Sequence, residues 1–195
     1  MDEKETLHSY LRIRRDDLLR KLDGLGEYDV RRPMTPTGTN LLGLVKHVAS
    51  VQVGYFGETF GRPFDFPMPW YDDGAEPDAD MWVPASESRA DILDLWQRSN
   101  AHTDATIEAL PLDAVGHVPW WPPEREQVTL HQILVHMAVE TARHAGHADI
   151  VREGIDGAIG NGPGDPNIPG KTGDDWAAYC ARIDAAAREA AAEAR

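Results

Sequence analysis

The sequence predicts an all-α fold: a four-helix bundle, with a long crossover between its second and third helices, followed by a C-terminal helix. Three observations carry this expectation. Apolar residues recur at three- and four-residue spacing over four long stretches. Capping residues, prolines and glycines punctuate the gaps between those stretches. The 195 residues show no internal repeat and no second composition regime, so residues 1–195 read as one helical domain.

The first helix is expected from about Lys4 to Leu25, where Leu7, Leu11, Leu18, Leu22 and Leu25 share a face and Gly24 and Gly26 supply the stop. Arg31 to Asn40 reads as a turn region, with Pro33, Pro36 and Gly38. Thr39 or Asn40 caps a second helix to about Phe60, striped by Leu41, Leu44, Val48, Val51 and Tyr55. Asp65 to Pro84 has four prolines and no periodicity, and a connection of that length is usually functional or mobile. It is expected to be a crossover that lets the third helix lie parallel to the second. Ser88 and Asp91 resemble a capping box for that third helix, which runs through Ile92, Leu95, Trp96 and Ile107 to Leu110. After a loop with Pro119-Trp120-Trp121-Pro122-Pro123, Thr129 and Gln132 open the fourth helix, about Leu130 to Glu153. A Gly/Pro loop over Asn161 to Gly173 leads to an Ala-rich last helix from Asp174 or Asp175, fraying near Arg195.

Composition narrows the function. Asp and Glu number 33 against 19 Lys and Arg, a formal charge of -14, and such a field repels phosphate backbones and anionic lipid surfaces. Nucleic acid and membranes are therefore not expected partners, and no apolar run approaches the ~20 residues a membrane helix needs. The chain opens Met1-Asp2-Glu3-Lys4 without a secretory leader, and its one cysteine, Cys180, forms no internal disulfide. A cytoplasmic location is expected.

The chemistry concentrates on the fourth helix, which with its lead-in holds His117, His131, His136, His144 and His147. At about 100° per residue with Ile133 at the origin, Met137 falls near +40°, Glu140 near -20°, His144 near +20° and Val151 near 0°. Glu140 and His144 thus occupy the buried stripe, His136 and His147 its flank, and His131 the far side. A buried unpaired carboxylate costs several kcal/mol, so such groups are paired, protonated or metal-bound. His47, between Leu44 and Val48, adds an imidazole from an apolar face of the second helix. Two imidazoles and a carboxylate leave open coordination positions, as catalytic metal sites do, and suit zinc, with nickel and iron as alternatives. The competing reading is a core histidine at 47 and a simple Glu140–His144 pair.

The stretch from Leu134 to Glu153, followed by Asp156-Gly157, resembles the signature of the DinB/YfiT-like superfamily, as do Asn40 to His47 and the Val118-Pro119-Trp120-Trp121 loop. The likeness covers nearly the whole chain and is greatest to the actinobacterial DUF664, or mini-circle protein, branch. It implies a DinB-like bundle with a metal held by one histidine of the second helix and two ligands of the fourth, here His47, Glu140 and His144. Many members have a third histidine where this chain has Glu140, and the His-Glu-His version is similar to mycothiol-dependent maleylpyruvate isomerase. The resemblance implies a metal-dependent S-transferase or isomerase using a low-molecular-weight thiol such as mycothiol, with an electrophile as second substrate.

Two further functions stay open at this point: hydrolysis by metal-bound water, with His136 or His147 moving protons, and a non-catalytic stress-related metal or small-molecule binding protein. Trp120, Trp121, Trp70 and Tyr71 either wall a pocket over the metal or anchor their loops. Asp149, Arg152 and Glu153 serve the surface or a homodimer contact.

Overall fold

The computed structural model describes residues 1–161, 165, 167, 168 and 170–193, so the expected fraying at 194–195 lies outside the described residues. Among these are six α-helices: α1 (Glu3–Arg20), α2 (Glu27–Arg31), α3 (Leu41–Phe56), α4 (Arg89–Ala109), α5 (Leu130–Asp156) and α6 (Gly173–Glu193). A small antiparallel hairpin joins β1 (Val115–His117) to β2 (Gln127–Thr129), with Val115 opposite Thr129. Met1–Asn161 form one compact unit, and α6 belongs to a second.

The all-α bundle of the first unit follows from cross-helix partners. Glu3 meets His131, and Lys21 meets Asp149, so α1 and α5 run in the same direction. Going up α3 and α4 together, Lys46 pairs with Glu87, Gln52 with Asn100 and Arg62 with Thr106, so these two are also parallel. His47 faces Glu140 while Tyr55 faces His136, which makes α3 and α5 antiparallel. Lys4 reaches Leu110 and Arg89 reaches Leu22, which makes α1 and α4 antiparallel. The order is up, down, down, up. Parallel α3 and α4 require a return connection about 30 Å long, and residues 57–88 supply it.

Local chemistry sets the helix ends. Asp2 with Glu5, and Ser88 with Asp91, form complete capping boxes, while Asn40 and Thr129 each accept from the amide three residues on. Two helices end earlier than their apolar patterns. α1 stops at Arg20, and Leu22 enters the core from the turn that follows, where Gly24 takes φ +74°. α3 stops at Phe56, and Glu58–Phe60 continue as a single 3-10 turn. α2 arises just before the expected turn region, and the hairpin's three-residue strands are too short to show an alternation.

Two apolar clusters fill the bundle. One contains Leu18, Leu22, Val45, Ile92, Trp96 and Ala148; the other contains Leu11, Phe56, Ile107, Leu130 and Met137. Between them, at intermediate positions on all four helices, lie buried Arg15, Gln52, Ser99, Thr103 and Thr141. This polar band is anchored by Asp104, which accepts from Arg15 Nη1 at 2.6 Å and contacts His8 Nε2 at 2.8 Å.

The crossover is fastened to α3. Asn40 Nδ2 donates to the Met81 carbonyl at 3.1 Å, and a Cβ at Gly43 would lie 1.9 Å from that same oxygen. Lys46 is 1% exposed and donates to the carbonyls of Ala79 at 3.1 Å and Trp82 at 3.2 Å and to Glu87 at 3.0 Å. Its ammonium also stands 4.1 Å over the Trp70 ring.

Two outcomes test this architecture. Gly43→Ala drives a methyl into backbone, so urea denaturation should show a loss of about 2 kcal/mol, in the range for overpacking; an unchanged midpoint would show that the crossover yields freely. Burial pushes the Asp104 carboxyl up, but the His8 hydrogen bond and the Arg15 charge outweigh it and hold it below the ordinary carboxylate range. A depressed native value stabilises the fold above about pH 4 and is lost as pH falls through that value. Asp104→Asn should therefore destabilise at pH 7 and flatten the acid limb of the stability curve; parallel acid limbs would remove Asp104 from this role.

Candidate metal centre

His47 projects from α3 and Glu140 and His144 from successive turns of α5, and one ligand atom from each lies within 4.8 Å of the others. His144 Nε2 is 2.9 Å from Glu140 Oε1, and His47 Nε2 is 3.7 Å from the same oxygen. Two ligands held about 2.1 Å from one ion at a tetrahedral angle stand about 3.4 Å apart, so these separations are of the right size. The donor set of two imidazoles and a carboxylate also fits a borderline divalent cation.

Each side chain is prepared by its surroundings. Asp80 Oδ2 lies 2.6 Å from His47 Nδ1 and accepts the Tyr71 hydroxyl at 3.2 Å. Burial pushes the Asp80 carboxyl up, yet the His47 hydrogen bond and charge, with Tyr71, hold it low. Ionised Asp80 is placed to accept from His47 Nδ1 and to orient the ring so that Nε2 faces Glu140. Tyr71 is pushed well above its ordinary range by burial and by Asp80, so it stays a donor.

Burial raises Glu140, but the hydrogen bond from His144 and the charges of His144, His47 and His136 leave it below its ordinary value. His144 shifts down as well, through burial and the His47 charge, against the opposing pull of Glu140. A plain ion pair would raise the histidine. Here burial wins and favours the neutral imidazole of His144, 8% exposed, whose Nε2 lies at hydrogen-bond distance from the carboxylate.

Beside the triad opens a cleft of about 570 Å³, lined by His47, Ser50, Val51, Gly54, Tyr55, Glu58, Met68, Tyr71, Asp78, Asp80, Met81 and Trp120. The crossover contributes Met68, Tyr71, Asp78, Asp80 and Met81 to this wall.

A sequence model of mycothiol-S-transferase matches residues 6–157, a stretch that contains the whole triad and the cleft wall. The chain belongs to the mycothiol-S-transferase family. That family is one of thiol transferase enzymes and a branch of the DinB/YfiT-like proteins. Among solved structures, a conserved protein from Enterococcus faecalis has a similar fold, with a TM-score of 0.57 at 20% identity over 81% of this chain and 99% of that one. No curated protein matches the chain.

The remaining sequence-singled residues occupy distinct places around this transferase-family site. Tyr71 and Trp120 line the cleft. Trp121 wedges its ring against Tyr55 at 5.9 Å and His136 at 5.2 Å and donates to the Tyr55 hydroxyl, while Trp70 lies under Lys46. His136 is half-buried between Tyr55 and Trp121, and burial lowers its pKa; the exposed His147 ring stands edge-on to His144 at 5.4 Å. His131 is exposed and faces Glu3. Asp80, Tyr55, Glu58 and Asp78 escaped the sequence reading. Asp80 is one of several acids in a segment without periodicity, so nothing in its spacing separates it from Asp72, Asp73 or Glu76.

Purified protein is expected to carry near-stoichiometric divalent metal, lost in His144→Ala and retained in His131→Ala when each is measured by elemental analysis. Equal loss from both variants would dissociate metal binding from the convergent residues.

Proposed function

We propose that this chain is a metal-dependent S-transferase that joins mycothiol to a small electrophile, with His47, Glu140 and His144 holding the ion and zinc the leading candidate. The observation that carries the proposal is the convergence of these three donors inside the stretch matched to the mycothiol-S-transferase family. A divalent ion supplies the lowered thiol pKa that makes a nucleophilic thiolate at neutral pH.

The chain's own residues do the rest. Asp80 orients the His47 ring, Tyr71 holds Asp80, and Glu140 adds the one negative donor. Tyr55, Trp120 and Met68 give the cleft apolar walls that limit water and strengthen local electrostatics. The reacting sulfur is the cosubstrate's, since the only cysteine, Cys180, lies on α6 beyond the matched stretch. Carbon–sulfur bond formation expels the electrophile's leaving group with its electron pair, and the thiol proton passes to solvent. No helix among the described residues is long and apolar enough to cross a membrane, and we place the protein in the reducing cytoplasm, where a thiol cosubstrate stays reduced.

Turnover of a small electrophile is expected to require both metal and added mycothiol. Cys180→Ser should leave the rate nearly unchanged, and Glu140→Ala should lower it by about 100-fold or more, since even groups behind metal ligands are worth 10–100-fold. Turnover that persists without thiol would transfer the assignment to hydrolysis, and metal retention without turnover on any thiol would leave a binding protein.

A further inference from the structure

The cleft is lined by three acids, Glu58, Asp78 and Asp80, with His47 the one basic side chain and no lysine or arginine among the described residues of its wall. The neighbouring cations are engaged elsewhere. Lys46 is saturated by two carbonyls, Glu87 and the Trp70 ring. Arg62 donates to Thr106, Arg98 lies over Phe66, and Arg125 stands over the Trp121 ring. An ion held by the triad would not offset this field either, since Glu140 and a thiolate cosubstrate would together balance a divalent charge. The formal charge of the whole chain, -14, has the same sign. Glu58 and Asp78 are exposed at the cleft, where like charge repels an entering anion, and such fields change encounter rates by about 10- to 1,000-fold.

Resting on the thiol-transfer reading, we propose that this cleft selects its electrophile by charge: it accepts neutral or cationic electrophiles with a flat or apolar body and rejects carboxylate-bearing ones, with Glu58 and Asp78 setting the selection. Asp80 adds to the field but is committed to His47. The Trp120 indole, edge-on to Tyr55 at 5.3 Å, offers a surface on which an apolar or cationic group is favoured.

Iodoacetamide and iodoacetate isolate the charge, since they share the reacting carbon and leaving group. With either, the thiolate sulfur of mycothiol forms the C–S bond as C–I breaks, iodide leaves with the electron pair, and the thiol proton goes to solvent. Each enzymatic rate is divided by the uncatalysed rate with mycothiol, which removes intrinsic reactivity. The expected acceleration is about tenfold or more greater for iodoacetamide, and Glu58→Gln with Asp78→Asn should narrow that ratio. Asn tolerates the φ of +58° that Asp78 adopts.

A second readout needs no turnover. The Trp120 emission, taken as wild type minus Trp120→Phe, is quenched with iodide and with N-methylpyridinium, each normalised to free N-acetyltryptophanamide. The cation should quench more efficiently, and the double variant should shift the balance toward iodide. Equal acceleration of the two alkylators above the uncatalysed rate, or equal normalised quenching, overturns the charge selection. If the quenching order holds while neither alkylator is accelerated with any thiol, the charge selection stands and the thiol-transfer reading fails.

Discussion

The buried ammonium of Lys46 is the constraint on which the site depends. A cation taken out of water costs several kcal/mol unless its hydrogens find acceptors, and here three acceptors and an aromatic face surround it. Two of those acceptors are the carbonyls of Ala79 and Trp82, which bracket Asp80. The crossover cannot lift from α3 without stranding that charge. One residue along the same helix, His47 receives Asp80 as a consequence, at 2.6 Å. The up-down-down-up order makes a long return segment unavoidable, and Lys46 turns that requirement into a fixed wall carrying the carboxylate that holds His47.

The groups around the triad favour a neutral His144 and ionised carboxylates at Glu140 and Asp80. Metal ligation needs deprotonated donors, and competition from protons weakens it. Burial and the His47 charge work against imidazolium at His144, while the hydrogen bonds to Glu140 and Asp80 work against protonated carboxyls. The Glu140–His144 hydrogen bond also gives the carboxylate a partner, while His144 Nδ1 is buried without a hydrogen-bond partner among the described residues.

Much of this was legible along α5 because a helix converts spacing into direction. Thr129 caps it, Ile133, Met137 and Val151 are buried where the stripe requires, and Glu140 and His144 interrupt that stripe on the same face. His131, on the opposite face, is exposed. The crossover was opaque for the complementary reason. Trp70 and Tyr71 are adjacent in a 3-10 turn, yet one lies under Lys46 and the other bonds Asp80, a divergence no periodicity encodes. Lys46 itself sits among Leu44, Val45 and Val48, and its burial depends on carbonyls 33 and 36 residues away. The ends of α1 and α3 were misplaced because Leu22 and Phe60 pack like helical residues from turns.

The position of the triad within the core bears on what an ion would do there. Each apolar cluster contains residues of α1, α3, α4 and α5, so each ties all four helices together without the triad. His47, Glu140 and His144 join only α3 and α5, near the level where both clusters give way to the polar band of Arg15, Gln52, Ser99, Thr103 and Thr141. An ion at that level is not asked to close the fold, unlike one in a small domain that lacks a core. The polar band concedes apolar packing at the one height where the bundle must also accommodate an ionised carboxylate. Confined there, that cost leaves the cores above and below intact.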